Sequence, residues 1–314
     1  MENIFKDITS LNLNNANELT VCLASVNEDK LEYQRLQLTD DLMNDFKENI
    51  KNLLCQYKKI LENNNLIIHR HDEGTKLNGY DIEYLDLTKC DFVKTQINDL
   101  LPANKKKIFK FKDNNDFISS LKFYVISIKF KTRMLNFFRI YSPKKELERS
   151  KIFAIFFEKG QFNKIRKPTF LFDYKIDCIS ENNDIFIFNK SNFYNMFRYY
   201  DLIKKLSSNT LEVIKSLNLI NNFDELKKSC DSHLQMQLKL SSISAKPYLS
   251  KLNIDEIKKL NNKCKLNLEI KYDKIVFDKN KKWEILRLLD DGYLRSLLTQ
   301  LLYETDNKRP LNLK

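Results

Sequence analysis

The feature that most constrains this chain is a change of period along it. Between residues 123 and 189 apolar residues alternate with polar ones in short runs, whereas from residue 191 onward they recur at helical spacing. Alternation fits strands that show two different faces, and the longer spacing fits helices with one apolar stripe. An alternating strand at 123–130 precedes the runs 135–141, 151–157, 162–165, 170–180 and 184–189, which are rich in aromatic and β-branched residues. Turn-like Ser-Pro-Lys, Glu-Lys-Gly and Glu-Asn-Asn separate several of them. Short strands at such spacing predict an antiparallel meander. Within 123–130, Phe123, Val125 and Ser127 would share one face, and Tyr124, Ile126, Ile128 and Phe130 the other.

Upstream, 19–26 and 31–38 read as a hairpin about Asn27-Glu28-Asp29, and 107–111 as a further short strand. Thr39 or Asp40 can cap a helix over 41–61, where Leu42, Phe46, Ile50, Leu53, Leu54, Tyr57 and Leu61 share a face. A short helix over 91–101 would end before Pro102. Downstream, helices are expected at 191–206, 211–219, 224–234 and 255–260, with Ser191, Asn222 and Asn253 as caps. A strand over 266–277 and a helix over 280–289 follow, and a last helical run reaches 302 beyond Gly292. The fold class is therefore α/β of the α+β type. Residues 1–102 form a mixed region, 103–190 a basic region with a mostly antiparallel sheet, and 191–314 a helical region.

Several function classes lose their chemical basis. Glycine occurs only at 74, 79, 160 and 292, so neither a dinucleotide fingerprint nor a phosphate-cradling P-loop can be built. The six cysteines, at 22, 55, 90, 178, 230 and 264, stand singly, which fits small apolar residues in a reducing compartment. No run approaches the roughly 18 apolar residues of a spanning helix, and MENIFKDITS has no signal-peptide pattern. A cytoplasmic protein without a cofactor is expected, any membrane association coming through a partner.

Charge is segregated. Residues 1–100 carry 11 Lys/Arg and 18 Asp/Glu, net −7; residues 101–170 carry 18 and 5, net +13; residues 171–314 carry 25 and 19, net +6. A basic block beside an acidic third steers polyanions better than a dispersed excess of the same size. The candidate phosphate contacts are Lys105, Lys106, Lys107, Arg133, Arg139, Lys144, Lys145, Arg149, Lys151, Lys164, Arg166 and Lys167. Lys110, Lys112, Lys129 and Lys131 lie in the same block. Cations that neutralise phosphates release counterions, which gives affinity without much sequence preference. The same composition fits a solvated lysine-rich face, and the acidic flank favours nucleic acid over it.

Two other readings stay open. A metal-dependent nuclease needs clustered carboxylates and a lysine; Asp173, Asp177 and the tripeptide Glu269-Ile270-Lys271 supply those types, at no diagnostic spacing. His69-Arg70-His71-Asp72 offers two imidazoles and a carboxylate, too few for a metal cage without distant partners. A scaffold whose basic face docks on an anionic membrane or an acidic protein is the second. No catalytic residue and no metal ligand is assigned. Phe172 and Ile176 fit the core better than a base-stacking platform.

The runs FYVISIKF (123–130), FFRIYSPKKELERSKIFAIFFEKGQFNKI (137–165) and FLFDYKIDCISENNDIFIFNKSNFYNMFRYYD (170–201), with the closing WEILRLLDDGYLRSLLTQLLYE (283–304), resemble the KwaB-like family. That family is the soluble component of the bacterial Kiwa anti-phage defence system. The resemblance rests on Arg139, Tyr141, Phe162, Phe172, Asp177, Ile187, Asn189, Phe193 and Phe197. It implies an effector that binds phage DNA, limits replication and late expression, and works with a multi-pass membrane protein, KwaA, which would recruit it to the inner membrane. A homodimer or higher oligomer is also expected. Leu286, Leu289, Leu294, Leu297, Leu298 and Leu301 are its candidate surface, or equally core of one subunit.

Overall fold

In the computed structural model the described residues are 1–27, 30–63, 66–74, 81–100, 107–110, 117, 120–141, 155–158, 161–164, 172–173, 175–244, 246–296 and 302–305. The chain divides into two compact units, Met1–Arg70 with Asn78–Tyr199, and His71–Leu77 with Tyr200–Lys314.

The first unit is built on one eight-stranded sheet. Its strands are β1 (Glu18–Asn27), β2 (Lys30–Arg35), β3 (Ile68–Arg70), β4 (Ile82–Asp86), β5 (Leu121–Lys129), β6 (Met134–Ile140), β9 (Cys178–Glu181) and β10 (Asp184–Ile187). They lie in the order β2-β1-β5-β6-β9-β10-β4-β3. Every pairing is antiparallel except β3 with β4. The expected hairpin β1–β2 is thus present; of the expected meander over 135–189, β6, β9 and β10 pair in succession beside β5, whereas the described parts of 151–157 and 162–165 stay out of this sheet. Between β6 and β9, the pair β7 (Ile155–Glu158) and β8 (Gln161–Lys164) forms its own two-stranded sheet. Among the described residues of the expected strand 170–180, Cys178–Ser180 are in a strand, as the start of β9.

Strand β5 sits inside the sheet and buries both faces, as alternation of two apolar sets requires. On the face of Tyr124, Ile126 and Ile128, the core takes in Phe5 and Ile8 of α1 (Glu2–Thr9) and Phe46, Ile50 and Leu54 of α2 (Asp40–Glu62). Helix α2 starts as expected, the Thr39 hydroxyl accepting from the Leu42 N–H. Leu42, assigned to the same apolar face, is exposed. On the opposite face, Phe123 and Phe138 meet Phe197 at ring distances of 5.7 and 5.3 Å. There α3 (Asp91–Asn98) is tied in by the Tyr33 hydroxyl, which donates to the Gln96 carbonyl at 3.1 Å. The unit is a sheet with helices on both faces.

The expected helix 191–206 is two helices, α4 (Lys190–Met196) and α5 (Tyr199–Ser216), with Arg198 between them in left-handed backbone, φ 53°. The break lets Phe193 and Phe197 fill the sheet face while Tyr199 turns back to stack on Tyr194, ring centroids 4.8 Å apart. Asn189, not Ser191, caps α4, accepting from the Asn192 N–H.

The second unit packs α5, α6 (Phe223–Asp231), α7 (Leu234–Ser244), α8 (Ile254–Cys264) and α9 (Lys282–Leu289) around Leu226, Met236, Leu240, Ile257, Ile275 and Leu286. A small sheet β11-β13-β12 (Ile220–Asn221, Lys274–Val276, Ile270–Lys271) lies among them. Helix α7 escapes a reading of periodicity because residues on several of its sides are buried, including Lys239, Ser241 and Ser242, leaving no single apolar stripe. Asn222 precedes α6 in left-handed backbone, φ 56°, and makes no side-chain cap bond; Asn253 caps α8 as expected.

Two expectations fail here. The stretch 266–277 is no single strand but a hairpin of β12 and β13 turning at Tyr272-Asp273. Beyond Gly292 the described residues form strands, β14 (Tyr293–Arg295) and β15 (Leu302–Glu304), rather than a helix. Gly292 donates its N–H to the Arg287 carbonyl at 2.7 Å, and a Cβ there would stand 2.3 Å from Arg287 Cγ. Only glycine permits that approach. Of the proposed leucine surface, Leu286 and Leu289 are buried in the core and Leu294 is exposed. Leu297, Leu298 and Leu301 lie outside the described residues.

Candidate nucleic-acid interface

The basic block contributes to the sheet mainly through β5 and β6. Of the twelve candidate phosphate contacts, Lys105, Lys106, Lys144, Lys145, Arg149, Lys151, Arg166 and Lys167 lie outside the described residues, and Lys164 is placed only by its backbone, opposite Ile155 on β7. Lys107 is exposed beside β2, where its carbonyl accepts from the Arg35 N–H at 2.9 Å. Lys129, at the end of β5, and Lys131, in the turn to β6, are exposed, as is Lys122 at the start of β5. Lys122 belongs to the 18 cations of the block without being one of the twelve candidate contacts.

Arg139 and Arg133 have another environment. Arg139 lies opposite Tyr124 in the β5–β6 register, on the face that packs α1 and α2. Its Nε and Nη2 both donate to the Asp173 carboxylate at 2.8 Å, and Nη1 donates to Asp177 Oδ1 at 2.7 Å. Asp177 is 1% exposed. Its Oδ1 also accepts from Asn192 Nδ2, and its Oδ2 from the Ile140 N–H, both at 2.7 Å. Its carbonyl accepts from the N–H groups of Phe188 and Asn189, and its own N–H donates to Phe138. One aspartate therefore joins β6, the link from β10 to α4, and α4 itself. The Tyr124 hydroxyl donates to the Asp173 carbonyl at 2.9 Å.

Burial opposes charge on the Arg139 guanidinium, but bonds to Asp173 and the charges of both aspartates outweigh it and hold the group above its ordinary pKa. Burial and the Asp173 charge push the Tyr124 phenol upward, and burial with the Asp177 charge raises Tyr57 to about 12. A planar guanidinium suits this double engagement as an ammonium would not.

Arg133 makes a second bridge, donating to Asp7 at 2.6 Å and to Glu181 at 2.7 Å, which links α1 to β9. On the opposite sheet face Lys190 of α4 pairs with the fully buried Glu83 of β4 at 2.9 Å. On the same face β5, β6 and β9 carry a buried polar row: the Ser127 hydroxyl donates to Asn136 Oδ1 at 2.7 Å, and Asn136 Nδ2 donates to Ser180 at 3.2 Å. Three neighbouring strands thereby satisfy polar atoms of one another.

The carboxylates proposed for a nuclease fall into separate settings. Asp173 and Asp177 of the first unit are engaged by Arg139, and Glu269 of the second is paired with Lys271 at 2.6 Å on the surface. His69 contacts Asp81 at 3.1 Å. Among the described residues no group of three or more His, Cys, Asp and Glu side chains is arranged to hold a metal ion, and no helix is long and apolar enough to cross a membrane.

These observations define a mixed α/β protein with a helix-covered sheet, pinned by buried ion pairs and rimmed by exposed lysines. The chain belongs to the family described as Kiwa protein KwaB-like, whose sequence model matches residues 118–299, more than half its length. It is thus a component of the Kiwa type of anti-phage defence. The match spans the Arg139, Asp173 and Asp177 network and the Phe193 and Phe197 pair. No curated protein and no solved structure matches the chain significantly.

Proposed function

We propose that the protein is a non-catalytic, DNA-binding effector of a Kiwa-type defence complex, holding phage DNA with little sequence preference and blocking its replication and expression. The observation that carries this reading is the charge segregation: +13 over residues 101–170 against −7 over residues 1–100. Support comes from the exposed Lys107, Lys122, Lys129 and Lys131, which leave cationic groups at the rim of the sheet outside the buried networks. A membrane partner with several spans, KwaA, would bring the effector to the site of DNA entry, and self-association would multiply weak phosphate contacts.

Reversing Lys144, Lys145 and Arg149 together to glutamate tests the patch. Duplex affinity should fall, and the slope of log K against log salt should flatten by about 0.9 for each phosphate no longer neutralised. Unchanged binding at every salt concentration would remove this patch from the interface. Plasmid incubated with Mg²⁺ or Mn²⁺ should stay supercoiled. Nicking abolished by Asp177→Ala or Lys271→Ala, with the fold intact, would instead mark a nuclease.

A further inference from the structure

The positive charge of the second unit has its own centre. Residues 258–282 carry nine lysines against Glu269, Asp273 and Asp278, a net of +6, equal to the whole excess of residues 171–314. In the middle of this stretch the β12–β13 hairpin pairs Ile270 with Ile275 and Lys271 with Lys274, leaving Tyr272 and Asp273 as a two-residue turn. Both have positive φ, 50° and 56°. Turns of this type strongly favour Asn and Gly, and a bulky residue there is strained. Tyr272 is nevertheless at the tip and 92% exposed.

The pedestal under that ring is firm. Ile275 is fully buried, β13 pairs in parallel with β11, and Asn261 of α8 clamps Leu268 by bonds of 3.0 Å to both its N–H and its carbonyl. Lys258 reaches Asp273 at 2.6 Å, Lys271 reaches Glu269 at 2.6 Å and Lys274 reaches Asn218 at 2.7 Å. These are exposed surface contacts, weak enough for a phosphate to displace. No other large apolar side chain of the hairpin is exposed, so the tip offers one π-face among cations rather than an apolar patch for a bilayer.

The geometry points to Tyr272 as a base-stacking finger: the hairpin presents its ring to an unpaired base of single-stranded nucleic acid while the lysines around it take the adjoining phosphates. Aromatic residues among cations are the usual device for sequence-tolerant binding of single strands, and strain kept at a tip is characteristic of functional positions. This site deepens the nucleic-acid reading above and lies outside the 101–170 block.

The test uses the full chain, a labelled oligothymidine strand and a mixed-sequence duplex. Tyr272→Gly removes the ring and tolerates the backbone, so its melting temperature should hold. It should weaken single-strand binding roughly 5- to 100-fold with an unchanged salt slope, and Tyr272→Phe should bind as the unaltered protein does. Single-strand binding unaffected by Tyr272→Gly, with duplex binding intact, overturns the stacking role alone. If Tyr272→Gly instead released the chain from phosphatidylserine vesicles, the ring would be a membrane contact and the stacking role would fall too. Absence of any nucleic-acid binding by the full chain overturns both this site and the proposed function.

Discussion

Arg139 and Lys129 lie on neighbouring strands of one sheet in the same basic segment, yet their charges do different work. Arg139 is mostly buried and commits its donors to Asp173 and Asp177; Lys129 is exposed at the strand end, opposite Glu18. A count of positive residues treats them alike. A cation holding two internal carboxylates has little left for a phosphate, whereas a solvated lysine gives up almost nothing by moving to one. The difference separates cations that make the fold from those available to a ligand.

The largest effect should come from breaking the buried side of this comparison. Asp177→Ala leaves the guanidinium without its innermost partner and orphans the Ile140 N–H and the Asn192 amide. It should cost about 3–5 kcal/mol, read as a lowered denaturation midpoint. Arg139→Lys should cost less while still failing to span both aspartates. If Arg139→Gln kept its denaturation midpoint but bound duplex more weakly, the arginine would be a phosphate contact and the contrast would collapse.

A smaller effect is expected in the uncharged buried row. Asn136→Ala removes an acceptor from Ser127 and a donor from Ser180, both buried. Unmade bonds of this kind cost about 1–3 kcal/mol. Asn136→Ala with Ser127→Ala should cost less than the sum of the two single changes, because the partner left unsatisfied by the first is removed by the second. A double-mutant cycle in urea measures that coupling.

Much of the sheet was legible because β5 and β6 carry alternating aromatic residues on both faces, and α2 because its apolar spacing starts at a threonine cap. The hairpin at Tyr272-Asp273 was not, since its turn lacks the glycine or asparagine that signals one. Helix α7 lacks a one-sided stripe, and the strands after Gly292 are only three residues each. The ion network was legible in its parts and not as a whole. By residue type Arg139 suits a phosphate contact and Asp177 a metal ligand, although each is the other's partner across 38 positions. Local spacing cannot reveal a contact that only the sheet register creates. The clue available was that both belong to the set on which the family resemblance rests.

The exposed side of the comparison gives the smallest change in stability and the clearest change in electrostatics. Lys129 ends β5 and Lys131 lies in the turn to β6, and both side chains face solvent. Replacing both with glutamine should move stability by no more than about 0.5 kcal/mol, as exposed substitutions away from caps and networks do. If this turn borders the DNA, the salt slope should fall by up to about 1.8, two phosphates at about 0.9 each. A slope that does not move would leave the phosphate contacts to the remaining cations of the block, around Lys144 and Arg166, and would divide the exposed lysines themselves into those that meet a ligand and those that only keep the surface solvated.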